Sequence, residues 1–405
     1  MSSEIKVMEF PRGANVILKD SKNDGYFYLV KSGKLEVQSD YELDDREVGI
    51  FDPGETFGLV SALTNKIFLG NIVAIQPSVI LRIPVSNLGS YVKLHRESCI
   101  KMMRSYSQEL RSLDRTLSQD AKKTGWSGQP ENLLLDADIY LKLRKPELAS
   151  YALARFCEYA EFNPDSSGFA FLDRAKKKLF EVNLEYKLPQ RNETVFTAKK
   201  GEPVFLENEK SEYFYIIRSG QITISRIVNE SEFILAILGP GEIFGELSVL
   251  DEKTRMASAI AHSDAELMRL GKSTFMDQVG EKVLQKLFES MARRIWYMHQ
   301  RLSIMSMEDA SARVYNHLHM LLSDIRMRTG HTGTIDDHEF NFSVDDLRKM
   351  VGAGDSEESE LITFFTDPNI IKGEGTITVH KEALLQDKIY YFRKKSRRNV
   401  LRAFI

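Results

Sequence analysis

The sequence predicts an α+β chain built on two copies of one small β-barrel or jelly roll, each followed by a long helix. Three observations carry that prediction. The first is an internal repeat. "YFYLVKSGKLEV" at 26–37 matches "YFYIIRSGQITI" at 213–224, "GIFDPGETFG" at 49–58 matches "AILGPGEIFG" at 236–245, and "VILRIP" at 79–84 falls on "ELMRLG" at 266–271. All three pairs share one offset, so residues 21–84 align with 208–271 without a gap and mark a duplicated structural unit. The second is patterning inside each copy. Short runs rich in Val, Ile, Tyr and Phe alternate with Gly, Asn and Asp turn signals, as in Tyr28–Gly33 and Tyr215–Gly220, and closely spaced strands of this kind argue a small barrel or jelly roll. The third is a 4-3 apolar spacing after each copy. Cys99, Met103, Tyr106, Leu110, Leu113 and Leu117 follow the first, and Leu284, Phe288, Met291, Ile295, Met298, Leu302 and Met305 follow the second. Alternating steps of four and three make the narrow seam of a helix pair. The seams are expected to pair either between two chains as a homodimer or within one chain as a pseudo-dimer.

The bulk properties agree. A chain of 405 residues exceeds one ordinary core and predicts two to three domains. Its formal charge of −3 argues against a generic basic nucleic-acid binder, while leaving room for a local patch. The only cysteines, Cys99 and Cys157, lack metal-ligand spacing and read as thiols of a reducing compartment. With no apolar leader at "MSSEIKVMEF" and no run of about 18 apolar residues, the expected location is cytoplasmic.

Between the copies, "AKKTGWSGQPEN" at 121–132 reads as a linker and 133–184 as helical. Tyr140, Ala149, Ala152, Phe156 and Asn163-Pro164 loosely resemble one tetratricopeptide-like hairpin. A single hairpin cannot bury a face alone, so it is expected to act as a spacer or pack on a barrel.

The copies differ where chemistry is expected. In "FGELSVLDEKTRM" (244–256) the second copy carries Glu246 and Arg255, against Leu59 and Phe68 in "FGLVSALTNKIFL" (57–69). A glycine-bearing loop entering a short helical turn at Gly245-Glu246-Leu247 offers backbone N–H groups to an anion, and Arg255 can add a fork of donors suited to phosphate. Glu246 would repel phosphate, but it can accept from a hydroxyl beside it. Together these groups describe a phosphorylated ribose, the alternative being a surface Glu–Arg pair. Leu59 and Phe68 can do neither, so the first copy is expected not to bind a cyclic mononucleotide in the usual way. Because the scaffold persists there without them, Glu246 and Arg255 are expected to be dispensable for folding.

"FGELSVL…TRMAS" resembles the phosphate-binding cassette of cyclic-nucleotide-binding domains, as in the catabolite activator (CRP/FNR) family and protein kinase A regulatory subunits. The resemblance implies that Glu246 binds the ribose 2′-OH and Arg255 the cyclic phosphate, with Gly245 in the turn and backbone donors near Leu247 and Ala257. It extends to "MARRIWYMHQRL" and "EDASARVYNHL", similar to the family's long helix and hinge, and to 342–379, similar to a winged helix-turn-helix. It implies a first helix ending at Val351-Gly352, a second over about 355–366, and a wing over Ile371–Val379. The organisation it implies is a degenerate cyclic-nucleotide-binding-like domain at 8–118, a helical linker at 119–190, a cyclic-nucleotide-binding domain with its long helix at 191–306, a winged helix-like domain at 307–385 and a basic tail at 386–405.

Two departures qualify the resemblance. Where the family reads adenine with hydroxyls, this chain has Met256, Met298 and His299, so the expected ligand is cyclic AMP or cyclic GMP, with a cyclic dinucleotide as the alternative. Where the family carries DNA-reading arginines, this chain has Asp355, Glu357, Glu358 and Glu360, and carboxylates repel a polyanion. Major-groove docking through that helix is not expected. The tail "KIYYFRKKSRRNVLRAFI" offers Arg393, Lys394, Lys395, Arg397 and Arg398 to nucleic acid or an acidic partner, if it is not simply solvated. No catalytic constellation and no metal set is found; His331, Asp336, Asp337 and His338 lie in a turn-rich loop without ligand spacing. The expected function is a cytoplasmic cyclic-nucleotide receptor, not an enzyme, whose second barrel controls the C-terminal domain. The output is transcription or, alternatively, a ligand-gated protein interaction without DNA.

Overall fold

The computed structural model describes residues 5–38, 49–117, 129–183, 186–189, 191, 193–272 and 281–403. It divides into two compact units, Met1–Tyr297 and Met298–Ile405. Part of the inter-copy linker, residues 121–128, lies outside the described residues.

The first copy contains β1 (Lys6–Phe10), β2 (Asn15–Ile17), β3 (Tyr26–Ser32), β4 (Leu35–Gln38), β5 (Ile50–Phe51) and β6 (Thr56–Phe57). After the short helix α1 (Leu59–Thr64) come β7 (Asn71–Ala74) and β8 (Ser78–Pro84). They pair in two antiparallel sheets, β1-β8-β3-β6 and β2-β7-β4-β5. Of the barrel and the jelly roll expected, the two-sheet jelly roll is the one formed, and the sheets do not close into a barrel. Its physical origin lies at the end of β3, where the register slips between Val30 and Ser32 and Gly33 turns at φ 90°, handing the chain to the second sheet. A Cβ at Gly33 would stand 2.3 Å from the Ser78 hydroxyl, so only glycine makes this turn. Phe57, Phe68, Ile72 and Ile80 fill the space between the sheets.

Helix α2 (Leu88–Leu94) leads into the long α3 (Arg96–Leu117), after which α4 (Leu133–Lys142), α5 (Pro146–Phe162) and α6 (Leu172–Val182) form the helical insert. Pro146 sits in the first turn of α5, where its missing N–H costs nothing. Ala149, Ala152 and Ala160 of α5 are fully buried, and one apolar cluster runs from this insert to Leu206 and Ile260 of the second copy. Tyr140 and Tyr151 hydrogen-bond across this contact to Ser258 Oγ (3.2 Å) and the Val204 carbonyl (3.4 Å). The insert packs on a sheet domain.

The second copy repeats the topology. Its strands are β9 (Val195–Ala198), β10 (Pro203–Phe205), β11 (Tyr213–Ser219), β12 (Ile222–Val228), β13 (Ser231–Leu238) and β14 (Ile243–Phe244). Helix α7 (Glu246–Asp251) precedes β15 (Ser258–Ala261) and β16 (Ala265–Gly271). The sheets run β9-β16-β11-β14 and β10-β15-β12-β13, and the hand-over again follows a register slip, between Ile217 and Ser219.

The seam residues Cys99, Met103, Tyr106, Leu110, Leu113 and Leu117 of α3 are all buried. So are Leu284, Phe288, Met291 and Ile295 of the following helix α8 (Glu281–Met305). Tyr106 meets Phe288 edge-on with centroids 6.3 Å apart. Both seams are thus covered within a single chain.

The second unit holds the end of α8, then α9 (Ala310–Thr329), β17 (His338–Phe340), α10 (Val344–Met350), a 3-10 segment Asp355–Leu361, α11 (Ile362–Phe365), β18 (Ile370–Lys372), β19 (Ile377–Val379) and α12 (Glu382–Ala403). The three strands form one sheet, β17-β19-β18. The second helix expected at 355–366 is corrected to a 3-10 segment followed by four helical residues. Two of its acids, Glu357 and Glu360, bond to neighbouring segments of the unit. Glu360 accepts from Ala310 N–H at 2.9 Å at the start of α9, and Glu357 accepts from Gly354 N–H at 3.1 Å and pairs with Arg313 at 2.5 Å. The basic tail is the second half of α12, anchored by buried Leu385, Ile389 and Phe392.

One buried charge cluster ties α3, the insert and the second copy together. Arg226 of β12 pairs with Asp114 of α3 and with Glu207 at 3.0 Å. Asp136 of α4 accepts from the Asn208 amide at 2.9 Å. Burial, reinforced by Glu207, pushes the Asp136 carboxyl well above its ordinary value, so between the ordinary and the raised value the folded chain holds a proton there that the unfolded chain releases. Stability from this group is complete below the ordinary carboxylate pKa and is lost as pH rises toward the raised one. Asp136→Asn should therefore gain stability relative to the parent at pH 8 and gain little near pH 4, read by urea unfolding at both pH values.

Candidate functional site

The second cassette begins at Gly245, held at φ 78°. A Cβ there would stand 2.7 Å from Nη1 of Arg255 and 3.1 Å from the Phe205 ring, so backbone and space both demand glycine. Arg255 is 1% exposed. Its Nη1 donates to the Gly245 carbonyl at 2.5 Å and to Ser248 Oγ at 2.7 Å, and its Nη2 donates to the Tyr213 carbonyl at 2.5 Å. Its guanidinium carbon lies 4.0 Å over the Phe205 ring, an aromatic contact that favours a cation. Every hydrogen-bond acceptor of this group is neutral, and its Nε has no partner. Burial lowers the Arg255 pKa, while Tyr215, Glu209 and Glu246 act to raise it. A fixed charge this deep, without a carboxylate bound to it, is suited to an incoming anion.

Glu246 is 2% exposed. Its Oε1 pairs with Nη1 of Arg294 on α8, and its Oε2 is buried without a partner, leaving an acceptor for one further donor. Arg294 lies within "MARRIWYMHQRL", where the sequence alone assigns it no role at this site. Leu247, Met256 and Ala257 are buried beside the pair in the chain. Met298 and His299, also buried, fall in the second unit.

The first copy shows what happens to the same turn without the ligand chemistry. Gly58 sits at φ 74°, and a Cβ there would meet the Phe68 ring at 3.2 Å and the Tyr28 ring at 3.0 Å. Phe68 thus fills the room that Arg255 takes in the second copy, and Leu59 is fully buried where Glu246 stands. The carbonyls are not abandoned. The Asn23 amide donates to the Tyr26 carbonyl at 3.0 Å and the Gly58 carbonyl at 3.1 Å. In the repeat alignment those residues fall on Tyr213 and Gly245, the two carbonyls that Arg255 engages in the second copy. Arg255, expected to be dispensable for folding, thus also makes structural contacts. Its guanidinium bridges two carbonyls, and the first copy needs a substitute bridge. The sequence signal was present at that position, Asn23 against Lys210, but it lies outside the cassette.

The candidate tail residues are on α12. Arg393 and Lys394 are exposed, Lys395 pairs with Asp309 at 2.8 Å, and Arg397 and Arg398 follow on the same helix. In the loop ahead of β17, Asp337 pairs with His380 at 2.6 Å and Asp336 accepts from Glu382 N–H at 3.1 Å. Among the described residues no cluster of His, Cys, Asp and Glu could hold a metal ion, and no helix is long and apolar enough to cross a membrane.

One known domain family matches both copies. The cyclic nucleotide-binding domain family matches residues 7–95 and 195–281; the chain carries two such domains. The cyclic AMP receptor protein of Thermus thermophilus is 31% identical over 192 residues, which cover 46% of this chain and 84% of that protein. The cAMP-dependent protein kinase regulatory subunit of Eremothecium gossypii is 23% identical over 272 residues, 67% of this chain and 43% of that one. A CRP-family transcriptional regulator structure from Thermus thermophilus aligns at 16% identity over 48% of this chain and 96% of its own, with a TM-score of 0.39. The chain belongs to the CRP/FNR family of cyclic-nucleotide-binding regulators.

The surrogate bridge can be tested directly. Asn23→Asp keeps the side-chain acceptor for Gly25 and Tyr26 N–H and loses the donor to both carbonyls. It should cost about 1–3 kcal/mol, seen as a lower denaturation midpoint, whereas Lys210→Asn at the aligned position should leave stability nearly unchanged.

Proposed function

We propose that the chain is a cyclic-nucleotide receptor with one competent site, in its second copy, whose occupancy controls the C-terminal unit. The observation that carries this reading is the buried Arg255 guanidinium with only neutral hydrogen-bond acceptors, beside the half-partnered Glu246 carboxylate. Arg255 would exchange its carbonyl bonds for a cyclic phosphate, and Glu246 would accept from the ribose 2′-OH through its open oxygen. Leu247 and Ala257 would supply backbone donors at the phosphate. Met256, with Met298 and His299, stands where hydroxyls would read adenine, so cyclic AMP and cyclic GMP are the first ligands to compare and a cyclic dinucleotide the third.

The covered seams of α3 and α8 support a pseudo-dimeric chain, the first copy standing in for a second subunit. Arg294 supports a route of control, since a ligand that engages Glu246 alters a partner on α8. Such a switch requires unequal ligand affinity for two arrangements of that helix.

For the output we read the C-terminal unit as a winged-helix variant that regulates transcription, touching DNA through Arg393 and Lys394 of α12. The segment 355–361 carries no cation, and its Glu357 and Glu360 are engaged at the start of α9. That same observation favours a second reading, a ligand-gated contact with a protein partner.

Calorimetric titration with cyclic AMP, cyclic GMP and a cyclic dinucleotide tests the site. Arg255→Ala should weaken binding by about 10- to 150-fold, the loss of one charge-assisted hydrogen bond or more, and Glu246→Ala should weaken it as well. Phe68→Arg should create no second site, since Leu59 supplies no acceptor for a ribose hydroxyl. Unchanged affinity in folded Arg255→Ala removes the assignment. For the output, electrophoretic shifts with and without ligand over a salt series should show binding that a double Arg393→Glu, Lys394→Glu variant abolishes. No shift at low salt rejects the transcriptional reading in favour of a protein partner.

A further inference from the structure

The copy without ligand chemistry grips the cassette of the copy that has it. Arg111, 7% exposed on α3, makes a fork onto Asp251 at the end of α7, with Nε–Oδ2 at 2.5 Å and Nη2–Oδ1 at 3.1 Å. Its Nη2 also donates to the carbonyl of Thr254 at 3.0 Å, and Thr254 immediately precedes Arg255 in the chain. One helical turn earlier, Ser107 donates to Asp251 Oδ2 at 2.9 Å, and Arg104 Nε donates to the Leu250 carbonyl at 3.0 Å. From the other side, the Arg255 main chain pairs with Glu209 and Asn208, its N–H donating at 2.8 Å and its carbonyl accepting at 3.0 Å. The segment 251–255 is therefore clasped between α3 and its own sheet domain.

We propose that Arg111 is a positioning residue for the ligand site, through which the first copy sets how long the second copy retains its ligand. This rests on the cyclic-nucleotide reading of that site. A bidentate arginine–carboxylate pair at about 3 Å fixes orientation as well as distance, and this one is nearly removed from solvent, where its loss leaves Asp251 unpaired. With the clasp intact, residues 251–255 are ordered before ligand arrives. Without it, that ordering cost falls on binding and shortens the bound lifetime more than it slows capture.

The test is stopped-flow release of fluorescent cyclic AMP and cyclic GMP analogues from the full chain. Arg111→Ala should release whichever analogue binds about tenfold faster, with the association rate constant within about twofold of the parent. Arg111→Lys, which keeps the charge and loses the fork, should fall between the two. Asp251→Ala should also speed release, and the effect of the double variant should be less than the sum of the two, because both remove the shared fork. Parental release rates in folded Arg111→Ala would overturn the proposal; if that variant does not fold, parental rates in Arg111→Lys would do so. A parent chain that binds neither analogue, nor a cyclic dinucleotide in the titration above, overturns the ligand reading itself, and with it this proposal.

Discussion

A buried cation governs the second copy. Arg255 is almost wholly excluded from water, yet the groups that touch it are two carbonyls, a hydroxyl and an aromatic face. Neutral dipoles can hold a guanidinium in place, but they do not cancel its charge. The surroundings follow from accommodating it. Gly245 must lack a side chain because the guanidinium occupies that space. Phe205 lies against the guanidinium, and Glu246 keeps its distance by pairing with Arg294. A small anion would answer all of these constraints together.

Around that centre, the duplication has been put to unequal use. One copy retains the turn and discards the charges, filling the vacated room with Phe68 and repairing the carbonyl bridge with Asn23. Its long helix then serves the other copy, with Arg111 on Asp251 and Asp114 on Arg226. Buried ion pairs such as these are weak as sources of net stability, but breaking one is costly. They therefore specify one way for the two copies to meet.

Much of this was readable in the sequence because backbone geometry leaves marks that do not depend on context. The turn glycines Gly33, Gly58 and Gly245 recur at fixed spacing since nothing else fits them, and the loss of Glu246 and Arg255 from one copy shows as two substitutions. The 4-3 seams likewise announced two helices with buried faces. The residues that escaped notice act across long separations. Asn23 reaches Gly58, Arg294 reaches Glu246 and Arg111 reaches Asp251. Periodicity says which way a side chain leans from its own element, and nothing about what it meets. The same limit explains Glu357 and Glu360, which bond to α9, and the choice of two sheets over a closed barrel, since alternation marks a strand without naming its neighbours.

The covered seams have a consequence for how such a chain reports concentration. A symmetric receptor with two equal sites can sharpen its response, because filling one site biases the other. Here the seam residues of α3, with Leu284, Phe288, Met291 and Ile295 of α8, are buried within the single chain, and only one of two turns keeps its charged pair. A lone site of this kind fills hyperbolically, over roughly an 80-fold range of free ligand between one-tenth and nine-tenths occupancy, with a Hill coefficient of about one. Under the proposed one-site reading, the duplication would yield an analogue gauge in which half of the molecule is a fixed reference for the half that reads.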